Sequence, residues 1–366
     1  MNKTCRILLL LLTMSTTYSV YGQSDKDKAK ARELGEQAIK LEDDGKLDEA
    51  LVLLSQAEKL DPTDYNYPYE EGYSYYQKKD YKKALDVYKK LIANYTVNSD
   101  QCYQMLGNVY DLMGDSASAL HSYREGLVKF PNSGRLYLEQ GNVYWLKKMY
   151  AEALPYYEAG IKVEPAFPSN YYRAARVFCS SSEPVYGIIY GEIFMNIERN
   201  SKRTAEISKL LFETYKEHIE FKSASNVSVT FSKNNVMVIH DSNDVKNPKL
   251  PFGTGCYEIN MLLSVFGENA IDLNSLDRIR KRFIESYYKT NSNTKYPNIL
   301  FDYQHTIAEA GHLEAYNHWI LMKGDEELFT KWQDSNKDKW DAFVKWFAAN
   351  PITLDKEHRF YSSQYN

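Results

Sequence analysis

Three side chains in the last quarter of the chain have the types and spacing of metal ligands. His305, Glu309 and His312 are separated by four and three residues, so a helix would place them on one face. One histidine with the glutamate could supply half of a metal site. The two histidines would lie two helical turns apart, about 10.5 Å along the axis, which is too far to share one ion. We therefore predict no metal and interpret the three residues as a polar helix face.

A glycine-rich stretch could serve a different chemistry, phosphate binding or nucleophilic catalysis. The stretch Phe252-Gly-Thr-Gly-Cys256 lacks the Gly-Lys-Ser/Thr ending of a phosphate loop, so its glycines predict a turn before a helix. The Cys256 thiol could act as a nucleophile beside His240 or His305, but no local pattern supports that pairing. We predict no catalytic residue, no cofactor and no enzyme. The alternative is an enzyme or ligand-binding activity in residues 223–366, which a cavity lined by these side chains would support.

A four-residue string recurs in the first half of the chain. Gly107-Asn108-Val109-Tyr110 returns 34 residues later as Gly141-Asn142-Val143-Tyr144. Small residues follow each glycine after twelve positions, and prolines follow after twelve more: Ala119 and Ala153, then Pro131 and Pro165. Recurrence at this period predicts an array of helical repeats.

These residues resemble the tetratricopeptide repeat family, in which a small residue and an aromatic lie on a first helix, a small residue opens a second helix and a proline ends it. The resemblance covers about residues 31–200. It implies an α-solenoid with repeats near 31–64, 65–98, 100–133 and 134–167 and a degenerate repeat near 168–201, where Gly187 stands in place of the alanine and Arg199 in place of the proline. No repeat can bury its own apolar stripe, so the array is stable only when stacked.

The remaining residues depart from the period. Residues 202–222 have the apolar spacing of one amphipathic helix, which we predict caps the repeats and bridges to a second domain, residues 223–366. In that domain, 227–231 and 236–239 predict a β-hairpin. Four helices are predicted after it, near 256–266, 274–289, 299–322 and 325–347. The predicted fold class is mainly α, a repeat solenoid followed by a mostly helical domain.

The first 22 residues predict export. Lys3 and Arg6 precede a short apolar run, and Val20-Tyr21-Gly22 forms a cleavage site, as in a secretory signal peptide. The run is far shorter than the ~20 residues of a membrane-spanning helix. Cys5 lies before the run, where no lipid would be attached. We expect a periplasmic or extracellular protein that begins at Gln23 and has no transmembrane segment.

Charge and cysteine content limit the kinds of partner and of structural site that the chain is expected to have. The formal net charge is −4, which gives no electrostatic basis for binding nucleic acid. The cysteines that follow the signal, Cys102, Cys179 and Cys256, are widely spaced and predict neither a disulfide framework nor a metal framework.

The family resemblance also implies a binding surface on the concave side of the first helices. At one equivalent position of three successive repeats stand Asn108, Asn142 and Arg176. In repeat proteins that clamp a peptide C-terminus, two asparagines and a basic residue at these positions hold the peptide, whereas the two lysines of that clamp are replaced here by Gln104 and Tyr172. Five aromatic residues project onto the same surface, namely Tyr69, Tyr73, Tyr76, Trp145 and Tyr172.

The side-chain chemistry agrees with a peptide ligand. An asparagine amide can donate to and accept from an extended backbone, and arginine can hold a carboxylate with two hydrogen bonds. We predict a scaffold that binds a protein or an extended peptide segment, and expect replacement of both asparagines by alanine to weaken binding with almost no loss of thermal stability. Two alternatives stay open: the asparagines and aromatic residues serve packing alone, or the protein is a structural component of the cell envelope.

Overall fold

The computed structural model describes residues 24–223, 226–233 and 250–365. The predicted signal peptide and the predicted strand 236–239 lie outside these residues. Within them, no helix combines the length and the apolar character needed to cross a membrane. The chain divides into two compact units, one that ends at Val97 and one that begins at Asn98, and each is described by itself.

The first unit consists of two helix pairs, which are the first two predicted repeats. The helices are α1 (Asp25–Asp43), α2 (Leu47–Leu60), α3 (Asn66–Gln77) and α4 (Tyr81–Asn94). Gly45, with φ of +75°, forms the turn between α1 and α2, a backbone conformation that glycine adopts without strain. The carboxylate of Asp80 accepts a hydrogen bond from the Lys83 amide and so caps α4.

The second unit begins with three more helix pairs and a further helix. These are α5 (Gln101–Leu112), α6 (Ser116–Lys129), α7 (Gly134–Leu146), α8 (Tyr150–Val163), α9 (Pro168–Cys179), α10 (Pro184–Ile197) and α11 (Lys202–His218). Asp115 and Ser133 cap α6 and α7 with their side chains. Pro168 and Pro184 occupy first-turn positions, where the missing amide hydrogen is not needed.

Close packing within each repeat follows the recurring glycine. A Cβ atom built on Gly107 would lie 2.1 Å from the ring of Tyr123, and one built on Gly141 would lie 2.4 Å from the ring of Tyr157. Each tyrosine comes from the second helix of the same repeat and is buried. The glycine is therefore required because an aromatic ring occupies the space of its side chain.

The helix predicted directly after the repeats is wrong in extent. The helix predicted over 202–222 ends at His218, and Ile219–Ser223 forms strand β1, antiparallel to β2 (Asn226–Val229). The predicted strand near 227–231 is therefore present as β2 and pairs with the segment before it, whereas the other predicted strand of the hairpin, 236–239, lies outside the described residues. Ile219 faces Val229 and Phe221 faces Val227, so apolar cross-strand pairs decide the register.

The C-terminal helices confirm the predicted helical character and correct several lengths. A π-helical turn at Gly253–Glu258 leads into α12 (Ile259–Val265), followed by α13 (Leu273–Lys289), α14 (Ser292–Lys295), α15 (Ile299–Glu309), α16 (Leu313–Leu321), α17 (Glu326–Ser335) and α18 (Lys337–Ala349). The helix predicted over 299–322 breaks at Gly311, whose φ is +78°. The helix predicted over 325–347 breaks at Asn336. The fold class, mainly α with helical repeats, is confirmed.

One hydrophobic core joins the later repeats to the C-terminal helices. It contains Tyr157 of the fourth repeat, Ile189 of the fifth, Leu211 of α11, Phe283 of α13 and Phe360 near the C-terminal end. The repeats from Asn98 onward and the C-terminal helices are thus one folded unit. The sequence predicted a boundary between two domains at residues 202–222, and that boundary stays a prediction.

Candidate peptide-binding surface

The first helices of the second unit lie side by side. Helix α5 contacts α7, α7 contacts α9, and α9 contacts α11. We call the side chains that these four helices present together the first-helix surface. Because successive repeats meet through these helices, side chains on neighbouring helices can bind one ligand along the row.

Polar side chains cross from α5 to α7 on this surface. The Gln104 amide donates to Glu139 Oε1 at 2.6 Å and accepts from Arg135 Nη1 at 3.3 Å. Arg135 also lies 3.7 Å from a carboxylate oxygen of Asp100. Gln104, which stands where a peptide clamp has lysine, therefore fastens one repeat to the next.

Asn108 and Asn142 are held in equivalent orientations by tyrosines of their own repeats. The Tyr123 hydroxyl donates to Asn108 Oδ1 at 2.7 Å, and the Tyr157 hydroxyl donates to Asn142 Oδ1 at 3.3 Å. Each hydrogen bond occupies the acceptor end of the amide and leaves the Nδ2 donor. Asn142 Nδ2 donates to Glu139 at 2.9 Å, whereas Asn108 Nδ2 has no hydrogen-bond partner among the residues described.

The two supporting tyrosines belong to the candidate surface, and they were not selected from the sequence. Each follows its asparagine by 15 positions. That constant separation is the signal that could have identified them. Both asparagines are half-buried, so each amide is reachable while its orientation is fixed.

Arg176, Trp145 and Tyr172, all predicted for the surface, lie together at α7 and α9. The Arg176 guanidinium lies 5.0 Å from the centre of the Trp145 ring and donates to the Tyr172 hydroxyl at 3.0 Å. Arg173, which the sequence analysis did not select, lies 4.9 Å from the same tryptophan ring. Trp145 is thus contacted by two cations, an attraction of the kind that ring quadrupoles provide.

Tyr172 connects this group to α11. Its hydroxyl donates to Glu206 Oε2 at 2.5 Å. Burial and then the Glu206 hydrogen bond raise the pKa of Tyr172, so the hydroxyl stays protonated and continues to donate. Among the residues described, the Tyr172 hydroxyl links Glu206 to Arg176.

A cavity of about 530 Å³ lies beside Trp145, between the fourth repeat, the fifth repeat and α11. Its apolar walls come from Trp145, Tyr150, Ala151, Leu154, Val177, Phe178 and Leu210. Arg176, Ser180 and Ser181 supply its polar atoms. No sequence pattern indicated the cavity, because its residues come from four helices and a turn.

The aromatic residues predicted on the second repeat belong to the first unit. Tyr73 stacks on Tyr76 with ring centres 6.2 Å apart, and Tyr76 contacts Tyr81 at 6.1 Å. Tyr69 packs edge-on against Tyr88 at 6.0 Å. Tyr73 is the most open of the three predicted residues, at 36% exposure. Tyr73, Tyr76 and Tyr81 thus form one aromatic group on α3 and the start of α4, and Tyr69 with Tyr88 forms a second pair.

The histidine and glutamate candidates do not share one helix face. His305 Nε2 lies 3.6 Å from a Glu309 carboxylate oxygen, and the His305 ring stacks on Tyr288 at 4.1 Å. His312 follows the break at Gly311 and lies against Trp346 instead. Across the described part of the chain, no group of three or more His, Cys, Asp or Glu side chains could hold a metal ion.

The candidate nucleophile is enclosed. Cys256 is fully buried, and burial raises its pKa to about 12, so the thiol is protonated at neutral pH and poorly nucleophilic. His240, its proposed partner, lies outside the described residues. A cavity of about 440 Å³ is lined by His305 and Glu309, without Cys256. Cys102 and Cys179 are likewise buried free thiols.

The paired helices and the row of first helices define an α-solenoid repeat protein. Residues 36–99 and 105–171 match the sequence model of the tetratricopeptide repeat. The repeat region belongs to the tetratricopeptide repeat family, as its recurring string predicted. Repeats of this family generally serve as scaffolds that bind other proteins, which supports an interaction role for the repeat region.

Several solved structures are similar to the chain. One is pilF of Pseudomonas aeruginosa, with 18% identity over 52% of this chain and 86% of that chain and a TM-score of 0.44. Another is YrrB, a tetratricopeptide repeat protein with an unusual peptide-binding site, with 20% identity over 49% and 91% and a TM-score of 0.34. A third is MamA of Desulfovibrio magneticus RS-1, with 17% identity over 49% and 99% and a TM-score of 0.37. No curated protein sequence matches the chain.

Proposed function

We propose that the first-helix surface binds an extended segment of a partner protein, with Asn108 and Asn142 pairing its backbone. The observation that supports this most is the matched orientation of the two amides, each fixed by a tyrosine hydroxyl at its acceptor end. The donor of Asn108 is then available to a peptide carbonyl. A preorganised donor loses little side-chain entropy on binding, so its hydrogen bond contributes more to affinity.

Arg176 and Arg173 extend the same surface in the direction of α11. Their positive charges suit acidic side chains or carboxylates of the bound segment. Tyr172 and Trp145 add rigid aromatic contact area, which contributes to affinity at a low cost in conformational entropy. The bound partner would thus meet the Nδ2 donor of Asn108 on the third repeat and, on the fourth, the Nδ2 hydrogen of Asn142 that Glu139 does not accept. Cations and aromatic rings follow on the fourth and fifth repeats.

The binding proposal is tested with the chain from Gln23 to Asn366 as bait in extracts of its own source. The segment of the captured partner that binds is then mapped, and its Kd is measured by calorimetry. Replacing Asn108 and Asn142 together by alanine removes two hydrogen bonds, worth about 1–3 kcal/mol in sum, so Kd should rise roughly 5- to 150-fold. Val128→Ala, at a side chain 85% exposed on the second helix α6, is the control.

Two further measurements separate binding from folding. The double alanine variant also removes the acceptors of the Tyr123 and Tyr157 hydroxyls, so its melting temperature should fall modestly, in contrast to the expectation from sequence alone. Asn108→Asp keeps an acceptor for Tyr123 and replaces the Nδ2 donor by a negatively charged oxygen, so it should weaken binding to a peptide carbonyl while the Tyr123 hydrogen bond is retained. An unchanged Kd in both variants would show that the asparagines do not contact the partner.

We also propose that the protein acts outside the cytoplasm. The support is the sequence of residues 1–22, with Lys3 and Arg6 before the apolar run and a cleavage site at Gly22. The measurement is mass spectrometry of the N-terminal peptide of the protein isolated from its own source. A mature N-terminus at Gln23 is expected, and recovery of the chain with residues 1–22 still attached would contradict the cleaved signal.

A further inference from the structure

We propose that the cavity beside Trp145 is the specificity pocket of this surface and receives one large apolar side chain from an acidic segment of the partner. We call it the Trp145 pocket. The inference rests on the proposed function and deepens it, because it names the side-chain chemistry that the partner must present. The bound segment would carry its apolar residue next to carboxylates.

The size and lining of the pocket fit an apolar side chain. Its volume of about 530 Å³ falls within the ~300–1,000 Å³ of ligand pockets, which are mostly apolar with a few polar groups. Trp145, Leu154, Val177 and Leu210 are each only half-buried, although they pack against the hydrophobic core. Filling the pocket would remove these apolar surfaces from water.

Leu210 shows where in the fold the pocket lies. It lies on α11, the helix that follows the fifth repeat, so this wall is absent between ordinary neighbouring repeats of the array. The pocket therefore forms where the repeat array meets α11. A partner that binds in this pocket would be held at one position along the surface, because the contacts between other neighbouring repeats do not include α11.

The charges around the pocket select an acidic segment. Arg173 and Arg176 lie at 4.9 and 5.0 Å from the Trp145 ring, and within the described ranges neither has a carboxylate at ion-pair distance. By contrast, Arg203 on α11 forms an ion pair with Glu198, and its charge is neutralised within the fold. Two guanidinium groups beside an apolar pocket would attract carboxylates and repel a basic segment.

Apolar surface continues from the pocket onto the turn between α7 and α8. Leu146 is 70% exposed, Met149 is 39% exposed and the pocket residue Tyr150 is 43% exposed. A contiguous apolar patch at the surface favours contact with another molecule. This turn can contact the residues that flank the inserted side chain.

The test uses the full chain from Gln23 and a defined probe, the capped tripeptide acetyl-Asp-Phe-Asp-amide. Two matched probes vary one property each: acetyl-Asn-Phe-Asn-amide removes the charge, and acetyl-Asp-Ala-Asp-amide removes the ring. Incorporation of 5-fluorotryptophan gives one fluorine signal for each of the five tryptophans, and Trp145→Phe identifies the signal of Trp145. Saturable movement of that signal during titration with the first probe, at a Kd about tenfold lower than for either matched probe, is expected.

A pair of equivalent substitutions provides the structural control. Ala151 is exposed and lines the pocket, so Ala151→Phe should fill it and abolish the response without burying anything in the core. Ala117 is exposed at the equivalent position of the third repeat, ten residues after Gly107, and Ala117→Phe should leave the response intact. Arg176→Gln should bring the affinity for the acidic probe close to that for the neutral one.

The outcomes that overturn the inference are distinct. Absence of a Trp145 response to the acidic probe, or an equal response in Ala151→Phe, would show that the pocket does not bind the probe. Equal affinity for the acidic and neutral probes would show that the charges do not contribute. The Asn108 and Asn142 double variant should still bind the tripeptide, because neither asparagine lines the pocket. Failure of the proposed function would instead appear as unchanged partner affinity in that double variant, so either proposal can fail alone.

Discussion

Arg280→Leu is expected to lower the free energy of unfolding of the second unit by about 3–5 kcal/mol, because it leaves a buried carboxylate without its counter-charge. Arg280 lies on α13 and is 5% exposed, and its partner Glu192, on the second helix of the fifth repeat, is 1% exposed. Both terminal guanidinium nitrogens donate to the Glu192 carboxylate, one of them at 3.0 Å. Glu192 would have to be protonated or hydrated in the variant, and either change destabilises the fold.

The guanidinium also fixes two other helices. Arg280 Nε donates to Asn317 Oδ1 on α16 at 2.8 Å, and Nη1 donates to the Tyr215 hydroxyl on α11 at 3.0 Å. Gln304 of α15 completes the group by donating to Glu192 at 2.5 Å. Leucine can satisfy none of these acceptors, so the cost extends beyond the loss of one ion pair.

The measurement is urea unfolding followed by tryptophan fluorescence, since all five tryptophans lie after residue 97. Arg278→Leu is the matched control, two residues away on the same helix, where an exposed arginine pairs with Glu268 and the expected cost is about 0–1 kcal/mol. The double variant Arg280→Met with Glu192→Leu should be less destabilised than Arg280→Leu alone, because no charge is left unpaired. Equal costs at Arg278 and Arg280 would contradict this account of the core.

The contrast between the repeats and this buried group shows what the sequence could predict. The contact between Gly141 and the Tyr157 ring joins residues 16 positions apart within one repeat, and the equivalent contact of Gly107 with Tyr123 has the same separation. Recurrence therefore made the repeats predictable. Arg280 and Glu192 are 88 positions apart and belong to no repeating pattern, so only the folded chain shows that they meet.

The candidate site also contains residues that the sequence predicted and residues that it did not. Asn108, Asn142 and Arg176 were selected because they share a repeat position, and the structure places them on successive first helices. The Trp145 pocket was not predicted, because Leu210 comes from a helix outside the period. The break at Gly311 did leave a local signal, a glycine in a helical pattern. The strand at Ile219–Ser223 left a weaker one, because its conformation depends on pairing with β2.

Gly187→Ala is expected to destabilise the second unit by about 1–3 kcal/mol or more, although alanine is the usual residue at this repeat position and is the better helix former. Ala119 and Ala153 occupy the equivalent positions and are fully buried. A Cβ atom on Gly187 would lie 2.5 Å from the backbone nitrogen of Cys179 and 2.5 Å from its Sγ. The first and second helices of the fifth repeat therefore approach more closely than alanine permits, which explains the departure from the repeat pattern.

A Cβ atom on Gly187 would meet a backbone atom of Cys179 as well as its sulfur, so the control variant must separate these two contacts. Cys179→Ala removes the sulfur but keeps the backbone nitrogen, so combining it with Gly187→Ala should restore little of the lost stability. Urea unfolding followed by tryptophan fluorescence measures both variants. Full recovery in the double variant would show that the sulfur alone required the glycine. Because Val177 and Phe178 precede Cys179 and line the Trp145 pocket, a Gly187→Ala variant that moves α9 should also weaken the pocket's response to the acidic tripeptide.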